Sequence, residues 1–157
     1  MSTDESRIPA ALANVSAGCV CFHLRKAART ITQLYDHILA PTGLRGTQFT
    51  LLRLIGRTGG LSFSALAEVL GMDRTTLTRN LRPLEREKLV CTAAGADRRV
   101  RLVSLTPRGE RKLAEAEPLW ATAHGRVTDA LGPETWGRLQ RDLSRTIAVG
   151  LEAAGEH

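Results

Sequence analysis

Aromatic side chains are scarce: two Trp, one Tyr and three Phe make up 4% of 157 residues. So few rings leave the core to alanine and leucine, which suits a helix-rich soluble protein. Long apolar runs are missing too. No segment approaches the ~20 consecutive apolar residues of a membrane span, so no membrane partner is expected. Ala10–Phe22 is mildly apolar, but Asn14 and Ser16 interrupt it and Asp4 and Glu5 precede it. A secretory signal needs a basic start and a longer apolar stretch. Ser16-Ala17-Gly18-Cys19 resembles a lipoprotein cleavage site but lacks both features. Cysteine is limited to Cys19, Cys21 and Cys91, an odd number without an export signal. Reduced thiols and a cytoplasmic location are expected.

Catalytic patterns are absent as well. No paired carboxylates, nucleophile–base pattern or phosphate loop stands out, and His23, His37, His124 and His157 form no recognisable constellation. Neither an enzyme nor a cofactor is expected. Cys19 and Cys21 point to nearly opposite sides of a helix. Cys19 and His23 supply only two ligands, too few for a metal site. There are no repeats and no low-complexity segments.

What is present is concentrated charge. Eleven of the 22 basic residues, but only five of the 16 acidic ones, lie between Met72 and Lys112. That segment holds the whole net charge of +6, and the rest of the chain is neutral. A basic stripe on one element is the footprint of a phosphate-backbone binder.

The pattern around this stripe is equally specific. Ser62 is a good N-cap for a short helix through Leu70, and Gly71 suits its left-handed end. Asp73 caps a second helix to about Glu87, with Leu77, Leu81 and Leu84 facing a core. Arg74, Thr75, Thr78, Arg79 and Arg82 are left pointing outward. Leu89–Ala93 and Val100–Leu105 are β-branched runs either side of a glycine-containing tip, hence a hairpin. Cys91 is expected to pack inside it. Thr106-Pro107 starts a further helix. Helix, turn, helix and basic wing together fit the major groove of duplex DNA and its flanking backbone.

Helices flank this unit. A pattern from about Ala10 to Ala40 repeats Ala17, Cys21, Leu24, Ala28, Ile31, Tyr35 and Ile38 at spacings of 4 and 3. That is a helix-packing seam. A further helix covers Thr47–Arg57, with Phe49, Leu51, Leu52 and Ile55 on its apolar side. Two C-terminal helices, about Pro107–Leu131 and Pro133–Ala153, break at Gly132-Pro133. The expected fold is mainly α with a small β-wing. A winged helix-turn-helix is flanked by N- and C-terminal helices of the kind that form a dimer bundle.

The run Asp73-Arg74-Thr75-Thr76-Leu77-Thr78-Arg79, then Leu84-Glu85, Leu89-Val90, Asp97-Arg98-Arg99 and Leu105-Thr106-Pro107-Arg108-Gly109, resembles the multiple-antibiotic-resistance regulator (MarR) family. The likeness extends from about Val15 to Ala153. It implies one domain over 1–157, with dimerisation helices at 10–40 and 107–153 and the DNA-binding unit at 47–106. It also implies an obligate homodimer, a pseudo-palindromic operator and release by an effector or by thiol oxidation. Two residues depart from the pattern. Lys88 replaces the usual glycine after the recognition helix, and Pro83 sits inside that helix. Arg74, Thr75, Thr76 and Thr78 are expected to reach base edges, and Arg79 and Arg82 to clamp phosphates. Arg98 or Arg99 at the wing tip is expected to reach the minor groove. Asp97 beside them would hold an arginine in place.

The trigger has two readings. Cys21-Phe22-His23-Leu24 is similar to the start of the first helix in the organic-hydroperoxide-resistance (OhrR) branch. That resemblance implies a reactive Cys21 bonded by two tyrosines. Tyr35 matches the first, whereas Gly46 occupies the place of the second. Cys21 and Tyr35 lie ~21 Å apart along a helix, so they meet only across two subunits or through a bend. In the second reading His23, Arg25 and Arg29 hold the carboxylate of an aromatic acid. A rival without any trigger is an architectural DNA binder.

Overall fold

The structure is a computed structural model that describes residues 18–95 and 100–155. Helix α1 spans Val20–Leu39 and runs into a single 3-10 turn, Ala40–Thr42. Helix α2 (Gly46–Thr58) follows, then a short strand β1 (Leu61–Ser62), α3 (Phe63–Leu70) and α4 (Arg74–Arg86). Strands β2 (Val90–Ala94) and β3 (Arg101–Leu105) form a hairpin. The long helices α5 (Pro107–Leu131) and α6 (Pro133–Gly155) complete the chain. The antiparallel sheet has the order β1-β3-β2, with Leu61 opposite Val103 and Val90 opposite Leu105.

The helix starts follow the sequence. Ser62 Oγ accepts from the Ala65 N–H at 3.1 Å, Asp73 Oδ1 from the Thr76 N–H at 2.9 Å, and Thr106 Oγ1 from the Gly109 N–H at 3.1 Å. Each satisfies an orphan donor of a first turn. The first helix differs from expectation. Gly18 lies in a turn and Cys19 is the N-cap, so α1 begins at Val20. Glycine is a poor helix residue and interrupts the seam there. The portion expected from Ala10 to Ala17 lies outside the described residues. The two-residue strand β1 was not foreseen, being too short to show a period of two.

One core lies under the winged unit. Phe49, Leu51, Leu52 and Ile55 of α2 are buried with Leu66 of α3, Leu77, Leu81 and Leu84 of α4, and Val103 of β3. α2 is the central member. It packs against α4, β3, α5 and the end of α1. The terminal helices are different. Only Leu39 is buried in α1, and α6 buries none. Val20, Phe22, Leu24 and Ile31 are exposed on α1, as are Leu139, Leu143, Ile147 and Leu151 on α6.

Lys88 is the one described non-glycine residue with positive φ, at 57°. It follows α4 at the position where glycine usually ends a helix. The Lys88 N–H donates to the Glu85 carbonyl at 2.9 Å, and the Leu89 N–H to the Leu84 carbonyl at 2.8 Å. Both bonds require this left-handed turn. A side chain there costs about 1 kcal/mol of backbone strain. Lys88→Gly is therefore expected to raise stability by about 0.5 kcal/mol, the larger entropy of unfolded glycine offsetting part of the relief. Denaturant titration checks this, and a lower midpoint would contradict it.

Candidate nucleic-acid interface

The basic helix foreseen in the sequence is α4. Its three leucines fix its rotation, so the face opposite them is the one offered to solvent. Thr75, Arg79, Arg82 and Arg86 lie on that face at spacings of 4, 3 and 4, within an arc of about 60° and over about 16 Å of axis. All four are exposed. Among the described residues, Arg74, Arg79, Arg82 and Arg86 have no carboxylate within ion-pair distance. Arg86 was not singled out in the sequence, although the 4-3-4 spacing marks it.

The threonines divide. The Thr76 hydroxyl donates to Asp73 Oδ2 at 2.6 Å, and Thr78 to the Arg74 carbonyl at 2.7 Å. Thr75 alone has no hydroxyl partner among the described residues. Arg74 lies on the flank of the helix, its guanidinium carbon 5.5 Å from the Phe63 ring centroid. Arg74, Thr75, Thr78, Arg79 and Arg82 border a shallow concavity of about 350 Å³. Arg98, Arg99 and Asp97 lie outside the described residues.

Asp73 anchors this helix electrostatically. The Thr76 hydroxyl, then the Thr76 N–H, hold its carboxyl below the usual carboxylate range. A folded value below the unfolded one means that the cap stabilises fully above the unfolded value. Its contribution is lost as pH falls through the folded one. Asp73→Asn is thus expected to melt below the parent at neutral pH and to approach it in acid. A gap that stays constant from pH 7 to the acid limit would count against the carboxylate.

A polar tie fastens the hairpin to α4. The Thr92 hydroxyl donates to Glu85 Oε1 at 2.8 Å, joining β2 to the end of α4. Cys91 corrects an expectation. It is exposed, because the register turns Val90 inward at 3% exposure and alternation sends the next residue out.

Within the single chain the trigger residues stand apart. Cys19 and Cys21 are exposed at the start of α1. With Arg25, Lys26 and Arg29 they border an open surface depression of about 750 Å³. His23 is not part of that lining, and its ring lies edge-on to Phe22 at 5.5 Å. Tyr35 is remote from Cys21 and is tied instead to α5, with its hydroxyl 3.3 Å from His124 Nδ1. Burial raises the Tyr35 phenol above its ordinary value, with Arg53 pulling weakly the other way. The phenol is therefore protonated at neutral pH and lies in hydrogen-bond contact with Nδ1.

His124 belongs to a cluster that the sequence did not disclose. It stacks on Trp120 at 4.8 Å, and Trp136 of α6 meets its edge at 5.7 Å. On Trp120, the Arg53 guanidinium sits 3.6 Å from the ring centroid, and Phe49 stacks at 5.8 Å. Arg53 Nε lies 3.3 Å from Glu117 Oε1, off line for a hydrogen bond, so this buried donor is unsatisfied. Phe49, Thr50, Arg53, Leu54, Arg57 and Trp120 line a cavity of about 290 Å³ beside the stack. Trp120 and His124 share a helical face, which is readable; their meeting with α1 and α2 is not.

A capped helix pair, an outward basic helix and an antiparallel wing define a winged helix-turn-helix DNA-binding protein. Comparison with known proteins narrows the class. The MarR family model matches residues 42–99. The transcriptional regulator MosR of M. tuberculosis, solved in complex with DNA, is 40% identical with a TM-score of 0.77, over 87% of this chain and 98% of that one. CouR of Rhodococcus jostii RHA1, solved with p-coumaroyl-CoA, is 26% identical with a TM-score of 0.69, over 84% of this chain and 93% of that one. YwoH of Bacillus subtilis, an HTH-type transcriptional regulator, is 29% identical over 92 residues, 59% of this chain and 67% of that protein. The chain belongs to the MarR family. It is a DNA-binding transcriptional regulator and not an enzyme. Among the described residues no helix is long and apolar enough to cross a membrane.

Proposed function

We propose that the protein is a cytoplasmic, homodimeric repressor that leaves a pseudo-palindromic operator when a small aromatic acid binds. The observation that carries this reading is the outer face of α4, where Arg79, Arg82 and Arg86 have no carboxylate partner among the described residues. Two such helices, one per subunit, address two half-sites. The exposed apolar faces of α1 and α6 support pairing, since stripes of this length are normally covered. In this reading the whole chain acts as one domain, with the terminal helices as its dimerisation part. The wing-tip residues Arg98 and Arg99 then serve the flanking minor groove.

The aromatic acid is placed between α2 and α5 rather than at His23, Arg25 and Arg29. There Phe49 and Trp120 line an aromatic wall and Arg57 is an exposed cation. CouR, solved with a p-coumaroyl thioester, supports an aromatic ligand by analogy. The test is selection of genomic fragments by the purified protein, repeated with aromatic acids. A discrete inverted repeat, released by an acid that also raises the melting temperature as RT ln(1 + [L]/Kd), supports the proposal. Uniform coating of DNA would make it an architectural binder instead.

A second reading, thiol control, is favoured by the exposure of both Cys19 and Cys21, since oxidation follows accessibility. Cys21→Ser is then expected to abolish release of DNA by peroxide. Release that persists in the variant removes Cys21 from the mechanism.

A further inference from the structure

Side chains on a helix lean toward its N-terminus, over the turn that precedes them. For α4 this rule has opposite consequences at its two ends. Arg74, in the first turn, leans out of the helix toward α3, where its guanidinium meets the Phe63 ring at 5.5 Å. Arg82, in the third turn, leans back along the outer face over Thr78 and Arg79. It therefore borders the same concavity as Arg74, Thr75 and Thr78, although its backbone lies two turns further on.

The neighbours of Arg82 leave it free to reach outward. Thr75 and Thr78, on the two preceding turns, are short. The carboxylate one turn ahead, Glu85, is occupied by the Thr92 hydroxyl at 2.8 Å. No carboxylate among the described residues pairs with Arg82. The guanidinium thus sits over the half of the helix that enters the groove, unneutralised, in the middle of the solvent face. An arginine so placed matches the O6 and N7 acceptors of guanine, which it bonds in bidentate fashion.

We propose that Arg82 is a specificity-determining residue that reads a guanine in each half-site, and that Arg74 is held off the base edges. The assignment rests on the operator-binding reading above. It reverses the division of labour expected from position along the helix alone.

The test is selection from a randomised duplex pool with the parent protein and with the Arg82→Ala, Arg82→Lys and Arg74→Ala variants. The parent is expected to select an inverted repeat with a guanine at one fixed position per half. Arg82→Ala should lose the preference at that position only, binding the parent's best site about tenfold or more weakly per half-site. Arg82→Lys keeps the charge but loses the planar two-donor fork, so the same preference should weaken. Arg74→Ala should keep the parent's motif. Arg82 is exposed, and matched melting curves establish that the variants fold. A parent motif left intact by Arg82→Ala, with affinity lowered for all sites and the salt slope reduced by about one, would make Arg82 a phosphate clamp and overturn the assignment. A parent that selects no motif at all overturns both this assignment and the operator reading.

Discussion

Aspartates at Leu143 and Ile147 are expected to leave the protein monomeric and to weaken operator binding at least a hundredfold. These residues stand with Leu139 and Leu151 in a row of four-residue steps along α6. Ile147 is 63% exposed and Leu151 68% exposed in the single chain. No residue of α6 is buried, so the helix gains little from its own chain beyond its first turns, where Trp136 meets His124. In the proposed homodimer a second copy supplies the missing cover. Two charges placed in that seam would have to lose their hydration to pair, at a cost of several kcal/mol. Once the subunits part, each α4 binds alone and the gain from linked half-sites, about 10²–10⁴, is forfeited. Light scattering and mobility shift measure the two effects. A dimer that survives both substitutions would place the interface elsewhere.

Gly109→Ala carries the second large effect. A Cβ at this position overlaps the Leu89 carbonyl, a backbone atom that cannot swing aside. That carbonyl already accepts from the Thr106 N–H at 3.0 Å, and the Thr106 hydroxyl donates to the Lys88 carbonyl at 2.6 Å. The methyl must push the first turn of α5 away from the start of β2 and loosen both bonds. The expected loss is about 3 kcal/mol, and a fall in melting temperature on the order of 10 °C. Gly137→Ala serves as the control, because only the end of the Arg141 side chain lies near its added methyl. A Gly109→Ala protein that melts with this control would show that the junction yields.

Much of this was legible in the sequence because it is local. Ser62, Asp73 and Thr106 cap helices through bonds three residues long, and Leu77, Leu81 and Leu84 set the rotation of α4 from its own period. Lys88 stood out as a residue where glycine was expected, and its backbone is left-handed. The unread parts depend on partners far along the chain. Tyr35 meets His124 across 89 residues. Arg53 finds Trp120 only when α2 and α5 pack. The side taken by Cys91 depends on strand register, which a five-residue strand does not declare. For the outer face of α4, the pattern gave the helix and its charge. Where each guanidinium points needed the lean of the side chains and the ring of Phe63.

The junction at Leu89 has a mechanical meaning for the operator. There the wing starts and α5 starts, fastened to the same two carbonyls. From that point α5 runs 25 residues, roughly 37 Å, before the chain turns into α6. In a paired molecule the separation of the two wings is then set by rigid rods, not by loops. In the proposed homodimer the molecule is a calliper whose jaws are preset, and the proposed ligand changes the gap only by rotating a rod.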